Sequence, residues 1–210
     1  MVNQPIIMGV LNITPDSFSD GGLFLDSISA VTQAQLMVAE GAGIIDIGGE
    51  STRPGAPEVS SDDELKRVIP VIKALSGSID VPISIDTSKP IVMKEAFAAG
   101  ASIINDVNAL RSDGALQMAA ELGADVCLMH MQGNPRTMQA NPTYDNVVDD
   151  VKEFFHERIA ACESAGIQLG SITIDPGFGF GKNLGHNIAL LKNLSEFHDF
   201  GVSILAGLSR

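Results

Sequence analysis

The chain is short of positive charge. Among its 210 residues, 13 Lys and Arg stand against 26 Asp and Glu, for a formal net charge of −13. Neutralising a phosphate backbone takes clustered Lys and Arg, so a general nucleic-acid binder is excluded. An anionic small substrate would have to be held by local cations, backbone N–H groups or a metal. Cysteine is equally scarce. Cys127 and Cys162 lie far apart in apolar contexts, which excludes a disulfide framework or zinc site and leaves two packed thiols. No apolar run approaches the ~20 residues that cross a bilayer. The stretch Met1–Leu11 is too short for a signal peptide and lacks its basic region. The expectation is a soluble cytoplasmic protein with no membrane partner. Linkers and low-complexity tracts are missing too, so a single domain over residues 1–210 is expected.

Several catalytic signatures are also absent. His130, His156, His186 and His198 show no metal-ligand spacing, and only His130 closes a strand-like run; His156 and His198 read as helix-surface residues. No Ser/His/Asp order marks a covalent nucleophile. Gly177–Gly181 lacks the Gly-Lys-Ser/Thr ending of a phosphate loop.

What the chain does have is a rhythm. Short apolar runs recur at Ile6–Asn12, Gly43–Gly48, Pro82–Asp86, Ala101–Asp106, Asp125–His130, Ser171–Asp175 and Val202–Gly207. Continuous Val/Ile/Leu runs without alternation are what parallel strands covered on both faces look like. Between them, Asp26–Glu40, Leu65–Leu75, Pro90 to Gly100, Asp113–Leu122, Val147–Ala165 and Asn183–Leu194 read as helices. Ser61 and Glu64 fit a capping box opening the second helix, and Pro70 predicts a kink within it. Pro90 suits a first helical turn, while Gly123 and Gly166 suit left-handed helix ends.

Strict alternation means an α/β fold with parallel strands. An open doubly wound sheet gathers its ligand groups at one switch point, whereas a barrel draws them from many strand ends. Here polar residues close nearly every strand: Asn12, Gly48 and Glu50, Asp86, Asn105 and Asp106, His130, and Asp175. A TIM (β/α)8-type barrel is therefore expected, and an incomplete one. Such barrels take ~250 residues, so about one helix–strand–helix portion is expected beyond Arg210.

The strand ends carry the candidate chemistry. The segment from Asn12 to Gly22 is polar and turn-rich, as suits a loop over a barrel mouth or an ordinary connection. Ser51, Thr52 and Arg53 follow two glycines and offer hydroxyls, N–H groups and a guanidinium to an anion, unless Arg53 is simply solvated. Carboxylates closing buried strands are costly to desolvate unless they meet donors. For Asp86, Asp106 and Asp175 those donors are either backbone amides of the next turn or a heterocycle with an amidine-like edge. A neighbouring Asn amide such as Asn105 would match a mixed donor–acceptor edge. Met129 and Met131 read as core filler sooner than as ligand contacts.

Taken together, Met8–Gly22 and Gly41–Pro54 resemble the two signatures of the dihydropteroate synthases. Asp86, Asn105, Asp175, the segment from Met129 to Gly133 and the terminus Ala206–Arg210 fall in that family's order. The resemblance implies that hydroxymethyl-dihydropterin pyrophosphate condenses with para-aminobenzoate, giving dihydropteroate and pyrophosphate in folate biosynthesis. It implies Mg²⁺ as cofactor, a homodimer for full-length members, and sulfonamide drugs as mimics of the benzoate. Carried over, Asp86, Asn105 and Asp175 bind the pterin, with Asp175 on its amino-pyrimidinone edge. Asn12 lies beside the Mg²⁺ and pyrophosphate, and Thr52 and Arg53 flank pyrophosphate and aminobenzoate. Phe18 and Pro54 shape the aminobenzoate pocket; Met129, Phe180, Gly207 and Ser209 contact substrate. The catalytic set is Asn12, Arg53, Asp86 and Asp175. Asp16 or Asp20 would favour a pterin cation.

The family continues Ser-Arg-Lys and later carries an Arg-x-His motif, whereas this sequence stops at Arg210. The expectation is a fragment that folds poorly or lacks turnover alone, which normal turnover of the refolded chain would refute. Two rival readings remain: a methyltetrahydrofolate-dependent methyltransferase domain and a non-catalytic pterin-binding paralogue. The methyltransferase has no need of the aminobenzoate loops, so Asn12–Gly22 and Ser51–Gly55 favour the synthase over it; the paralogue would keep the fold and lack the terminal cations. Titrating the pterin pyrophosphate with and without aminobenzoate separates them.

Overall fold

A computed structural model describes residues 4–13, 22–51, 56–133, 137–139 and 141–208. Among these, seven strands alternate with six α-helices. They are β1 (Met8–Asn12), α1 (Gly22–Ala39), β2 (Ile44–Gly48), α2 (Ser61–Leu75), β3 (Ile83–Asp86), α3 (Pro90–Ala99), β4 (Ile103–Asp106), α4 (Ala115–Leu122), β5 (Asp125–Met129), α5 (Val147–Ser164), β6 (Ile172–Asp175), α6 (Leu184–Lys192) and β7 (Ser203–Ile204). Strand order follows chain order. No described helix is long and apolar enough to cross a membrane.

The chain groups into two compact units, one reaching Ser51 and resuming over Pro57–Ile104, the other running on from Asn105. In the first, β1, β2 and β3 pair in parallel, with Leu11 opposite Ile47 and Ile47 opposite Ile85. These three are buried, as are Val68, Val71, Ile72 and Leu75 of α2 and Val92, Met93 and Ala96 of α3. The apolar residues of β2 and β3 are thus mostly buried on the register that also brings the polar tips level, whereas β1 buries Leu11 and leaves Val10 exposed.

Helix α2 starts one residue earlier than its sequence suggests. Ser60, not Ser61, is the N-cap, and its hydroxyl accepts from Asp63 N–H at 3.1 Å. Glu64 does not reach back to cap the helix; it is fully buried and paired with Lys89. The ion pair outcompetes the capping box because only it offers the buried carboxylate a cation. Pro70 lies inside this helix, which is continuous from Ser61 to Leu75. Pro90 occupies the first turn of α3, as expected.

In the second unit β5, β6 and β7 pair in parallel, with Met129 opposite Asp175 and Ile174 opposite Ile204. Strand β7 is shorter than the run Val202–Gly207, although Leu205 N–H still donates to Ile174 O at 2.9 Å. Gly123 and Gly166 close α4 and α5 with φ of 61° and 96°, as expected of helix-ending glycines. Phe155 and Phe197 are fully buried, their rings 6.1 Å apart and nearly perpendicular. Each such ring removed from water contributes roughly 1.5–3 kcal/mol, so this cluster anchors α5. Neither Cys127 nor Cys162 forms a disulfide, and both are buried, matching the expectation of packed thiols.

Candidate functional site

In the first unit, three strand tips come level because the strands are parallel and in register. Asn12 stands opposite Gly48, and Gly48 opposite Asp86. Residues opposed in this way present side chains on one face. The middle position has none, and that absence makes room. A Cβ on Gly48 would sit 3.3 Å from Asn12 Oδ1 and 3.4 Å from Asp86 Oδ2. Two hard oxygen donors therefore converge beside Gly48.

Just beyond the tip of β2, Glu50 Oε1 accepts from Val59 N–H at 3.2 Å, and Arg67 Nη1 donates to Gly49 O at 2.8 Å. Lys89 pairs with both Glu50 and Glu64. Burial pulls the Lys89 amine down, but the two bonded carboxylates outweigh it and hold its pKa above the usual lysine value. Thr52, Arg53 and Pro54 lie outside the described residues, as do Phe18, Ser209, Asp16 and Asp20.

In the second unit the tip of β4 separates two neighbours that look alike in sequence. Asp106 is fully buried and accepts from Asn108 N–H and Leu110 N–H, both at 2.8 Å. Its carboxylate holds a turn in which Ala109 and Leu110 adopt positive φ, so it has backbone donors of its own. Asn105, on the alternate face, is half-buried.

The end of β6 is built differently. Asp175 is buried, and its Oδ1 accepts from Gly177 N–H at 2.8 Å. Its Oδ2 lies 3.9 Å from where a Gly207 Cβ would begin, an ordinary van der Waals distance. Burial raises the Asp175 pKa to about 6, while the Gly177 N–H and the Lys182 charge pull it down. Phe180 packs against a buried cluster of Met129, Met131 and Met138. A carboxylate with one lobe anchored, opposite a methionine of the cluster that cushions Phe180, suits a flat heterocycle with adjacent N–H groups.

Lys182 was not singled out from sequence, yet it is one of the few buried charges, only 3% exposed. Its Nζ lies 2.9 Å from His130 Nδ1 and donates to His130 O at 3.1 Å and Phe180 O at 2.9 Å. His130 is held neutral, its pKa pushed to about 3 by burial and by the Lys182 and Arg111 charges. Its Nδ1 accepts from Lys182, so its ring proton sits on Nε2. The sequence signal was a lysine closing a glycine-rich run after a strand-end carboxylate.

His186 caps α6 together with Asn183, while His156 and His198 are exposed. No group of three or more His, Cys, Asp or Glu among the described residues is placed to hold a metal.

Residues 8–210 match the family model described as pterin binding enzyme. The dihydropteroate synthase of Escherichia coli (strain K12) is 57% identical over 209 residues, which are 100% of this chain and 74% of that protein. A Yersinia pestis dihydropteroate synthase crystallised with a sulfonamide drug complex superposes with a TM-score of 0.92 at 53% identity, covering 98% of this chain and 74% of that one. A Xanthomonas albilineans dihydropteroate synthase with 4-aminobenzoic acid gives a TM-score of 0.92 at 51% identity, covering 99% and 74%. The expected (β/α)8-type barrel is the fold concerned, and seven of its parallel strands and six of its helices are present among the described residues.

Proposed function

The chain belongs to the pterin-binding enzymes, and within them to the dihydropteroate synthases of folate biosynthesis, and we propose how its residues divide the work. It is a transferase joining a pterin to para-aminobenzoate to form dihydropteroate. In our reading the pterin arrives as hydroxymethyl-dihydropterin pyrophosphate. The bond from its methylene carbon to the diphosphate oxygen breaks, and the electron pair leaves with pyrophosphate. The arylamine nitrogen forms the new C–N bond and gives up a proton to solvent. Such a reaction needs positioning and anion stabilisation more than an enzyme nucleophile.

Asp175 takes the pterin amino-pyrimidinone edge, with Asp86 and Asn105 completing its polar contacts. Phe180, Met129 and Gly207 line its faces and rim. Thr52 and Arg53 receive the leaving diphosphate and the aminobenzoate, Phe18 and Pro54 enclose the aminobenzoate ring, and Ser209 contacts substrate. Mg²⁺ fits the oxygen donors beside Gly48, with Asn12 Oδ1 as a protein ligand and the substrate diphosphate supplying others. When bound, the ion neutralises the leaving group's charge. We place the enzyme in the cytoplasm, and we read it as a homodimer. Leu184, Ile188 and Leu191 form one exposed apolar face of α6, which supports the second reading, and sedimentation of the protein tests it.

The observation that carries the pterin assignment is the buried, half-anchored Asp175 carboxylate opposite Met129, a member of the methionine cluster on which Phe180 packs. Asp175→Ala should weaken affinity for hydroxymethyl-pterin about a hundredfold, as expected for losing charge-assisted hydrogen bonds. Unchanged affinity by calorimetric titration would overturn the assignment.

A further inference from the structure

Lys182 has no part in the assignment above, yet it is buried and its amine is held at three points. Its three N–H groups meet three acceptors: the His130 ring, the His130 carbonyl and the Phe180 carbonyl. An ammonium has three protons to give, so this cage suits the charged form. The contacts join two pieces of backbone. His130 extends β5, its N–H donating to Asp175 O at 2.9 Å, while Phe180 sits on the turn that follows β6.

The rest of that turn is tied down in the same way. Gly177 packs its α-carbon against the His130 carbonyl, and Gly181 packs against Gln132. Tyr144 Oη donates to Gly181 O at 2.7 Å, and Gly179 N–H donates to Asn187 Oδ1 at 2.9 Å. On its far side the His130 ring is backed edge-on by Phe154, with centroids 4.9 Å apart. A buried lysine among carbonyls and rings is costly unless its charge serves something nearby. The carboxylate whose charge it feels is Asp175.

We propose that Lys182, seated on His130, is a positioning residue for pterin binding: it fixes the Phe180 ring over the methionine cluster and sets a buried positive charge behind Asp175. The proposal rests on the reading of Asp175 and Phe180 as pterin contacts. It makes pterin affinity depend on two ionisations, the carboxyl of Asp175 and the amine of Lys182. The other groups facing them stay constant across the neutral range. His130 is held neutral, Tyr144 is pushed up to about 12, and Arg111 keeps its guanidinium charge.

Hydroxymethyl-pterin titrated into the unsubstituted protein from pH 5 to 9, with the free pterin titrated in parallel, gives the first test. Affinity should rise as Asp175 ionises near pH 6 and fall again above about pH 7 as Lys182 loses its proton. Lys182→Met should weaken pterin binding about tenfold at neutral pH, leave KM for para-aminobenzoate unchanged, and move the acid midpoint to higher pH. Lys182→Gln, which keeps two N–H donors without the charge, should show the same displaced midpoint and serves if the methionine variant does not fold. A flat profile from pH 6.5 to 9 in the unsubstituted protein would overturn the proposal. So would a folded variant with an unmoved acid midpoint, even with lower thermal stability, because a purely structural lysine predicts that result. An unsubstituted protein that binds no pterin at any pH would instead defeat the functional reading itself.

Discussion

Replacing Gly177 by alanine tests the geometry of the pterin grip at its tightest point. The residue has φ of 69°, and an added Cβ would lie 2.0 Å from the His130 carbonyl oxygen and 3.3 Å from Met129 Cγ. Carbon–oxygen contacts do not ordinarily close below about 3.3 Å, so the turn must move by about 1 Å. Holding alanine in a left-handed conformation costs a further 1–2 kcal/mol or so. The movement displaces the N–H that anchors Asp175 Oδ1, and a hydrogen bond to a charged group is worth about 1.5–3 kcal/mol. Gly177→Ala should therefore weaken hydroxymethyl-pterin binding by roughly tenfold to a hundredfold. Isothermal titration measures the affinity, with circular dichroism melts confirming that the variant is folded. Gly170→Ala is the control, since nothing lies within 4 Å of its added Cβ, and it should bind normally. If Gly177→Ala is folded and binds pterin as the parent does, the close approach plays no part in holding Asp175.

Gly48→Val tests the converging oxygens of the first unit. Its Cβ begins within 3.4 Å of both Asn12 Oδ1 and Asp86 Oδ2, and its methyls reach further, so pyrophosphate release should fall at least about tenfold while the strand tolerates the branched residue. Normal turnover would mean that the gap is not used. Lys89→Met leaves the buried Glu64 and half-buried Glu50 without their cation and should lower stability by about 2–4 kcal/mol in urea denaturation, less than a fully buried pair because Lys89 is partly exposed. Because the Lys89 pKa is raised on folding, its stabilisation is complete below pH 10.5 and disappears as pH climbs through the raised native value; the methionine variant should show no such alkaline loss. His130 runs the other way. Its native pKa of about 3 against an ordinary 6.5 means that the unfolded chain binds more protons between those values, so stability falls as pH drops from 6.5 toward 3. Its contribution to the slope is at most about 1.4 kcal/mol per pH unit, and His130→Gln should remove it. Asp175, raised to about 6, opposes this slope between its unfolded and native values, so the comparison of His130→Gln with parent carries the result.

The alternation of elements and the polar strand ends were legible because both are local. Apolar runs of parallel strands, helix-ending glycines such as Gly123 and Gly166, and Pro90 in a first turn are set by neighbours in sequence. So was the candidacy of Asn12, Asp86 and Asp175, each the last residue of its strand, and of Asn105, one residue before the end of β4. What could not be read was which partner each polar group would find. Ser61 and Glu64 fit a capping box on paper, yet Ser60 caps the helix and Glu64 pairs with Lys89, a residue far along the chain. Asp106 and Asn105 are adjacent, but the strand's two faces give one to backbone amides and leave the other half-buried. The space at Gly48 exists only through the registers of β1, β2 and β3, and the burial of Lys182 only because its turn folds back on His130. Periodicity and turn chemistry act over a few residues, and they determined the elements. Register, burial and the pairing of charges act between residues far apart in the chain, so only the folded structure decided them.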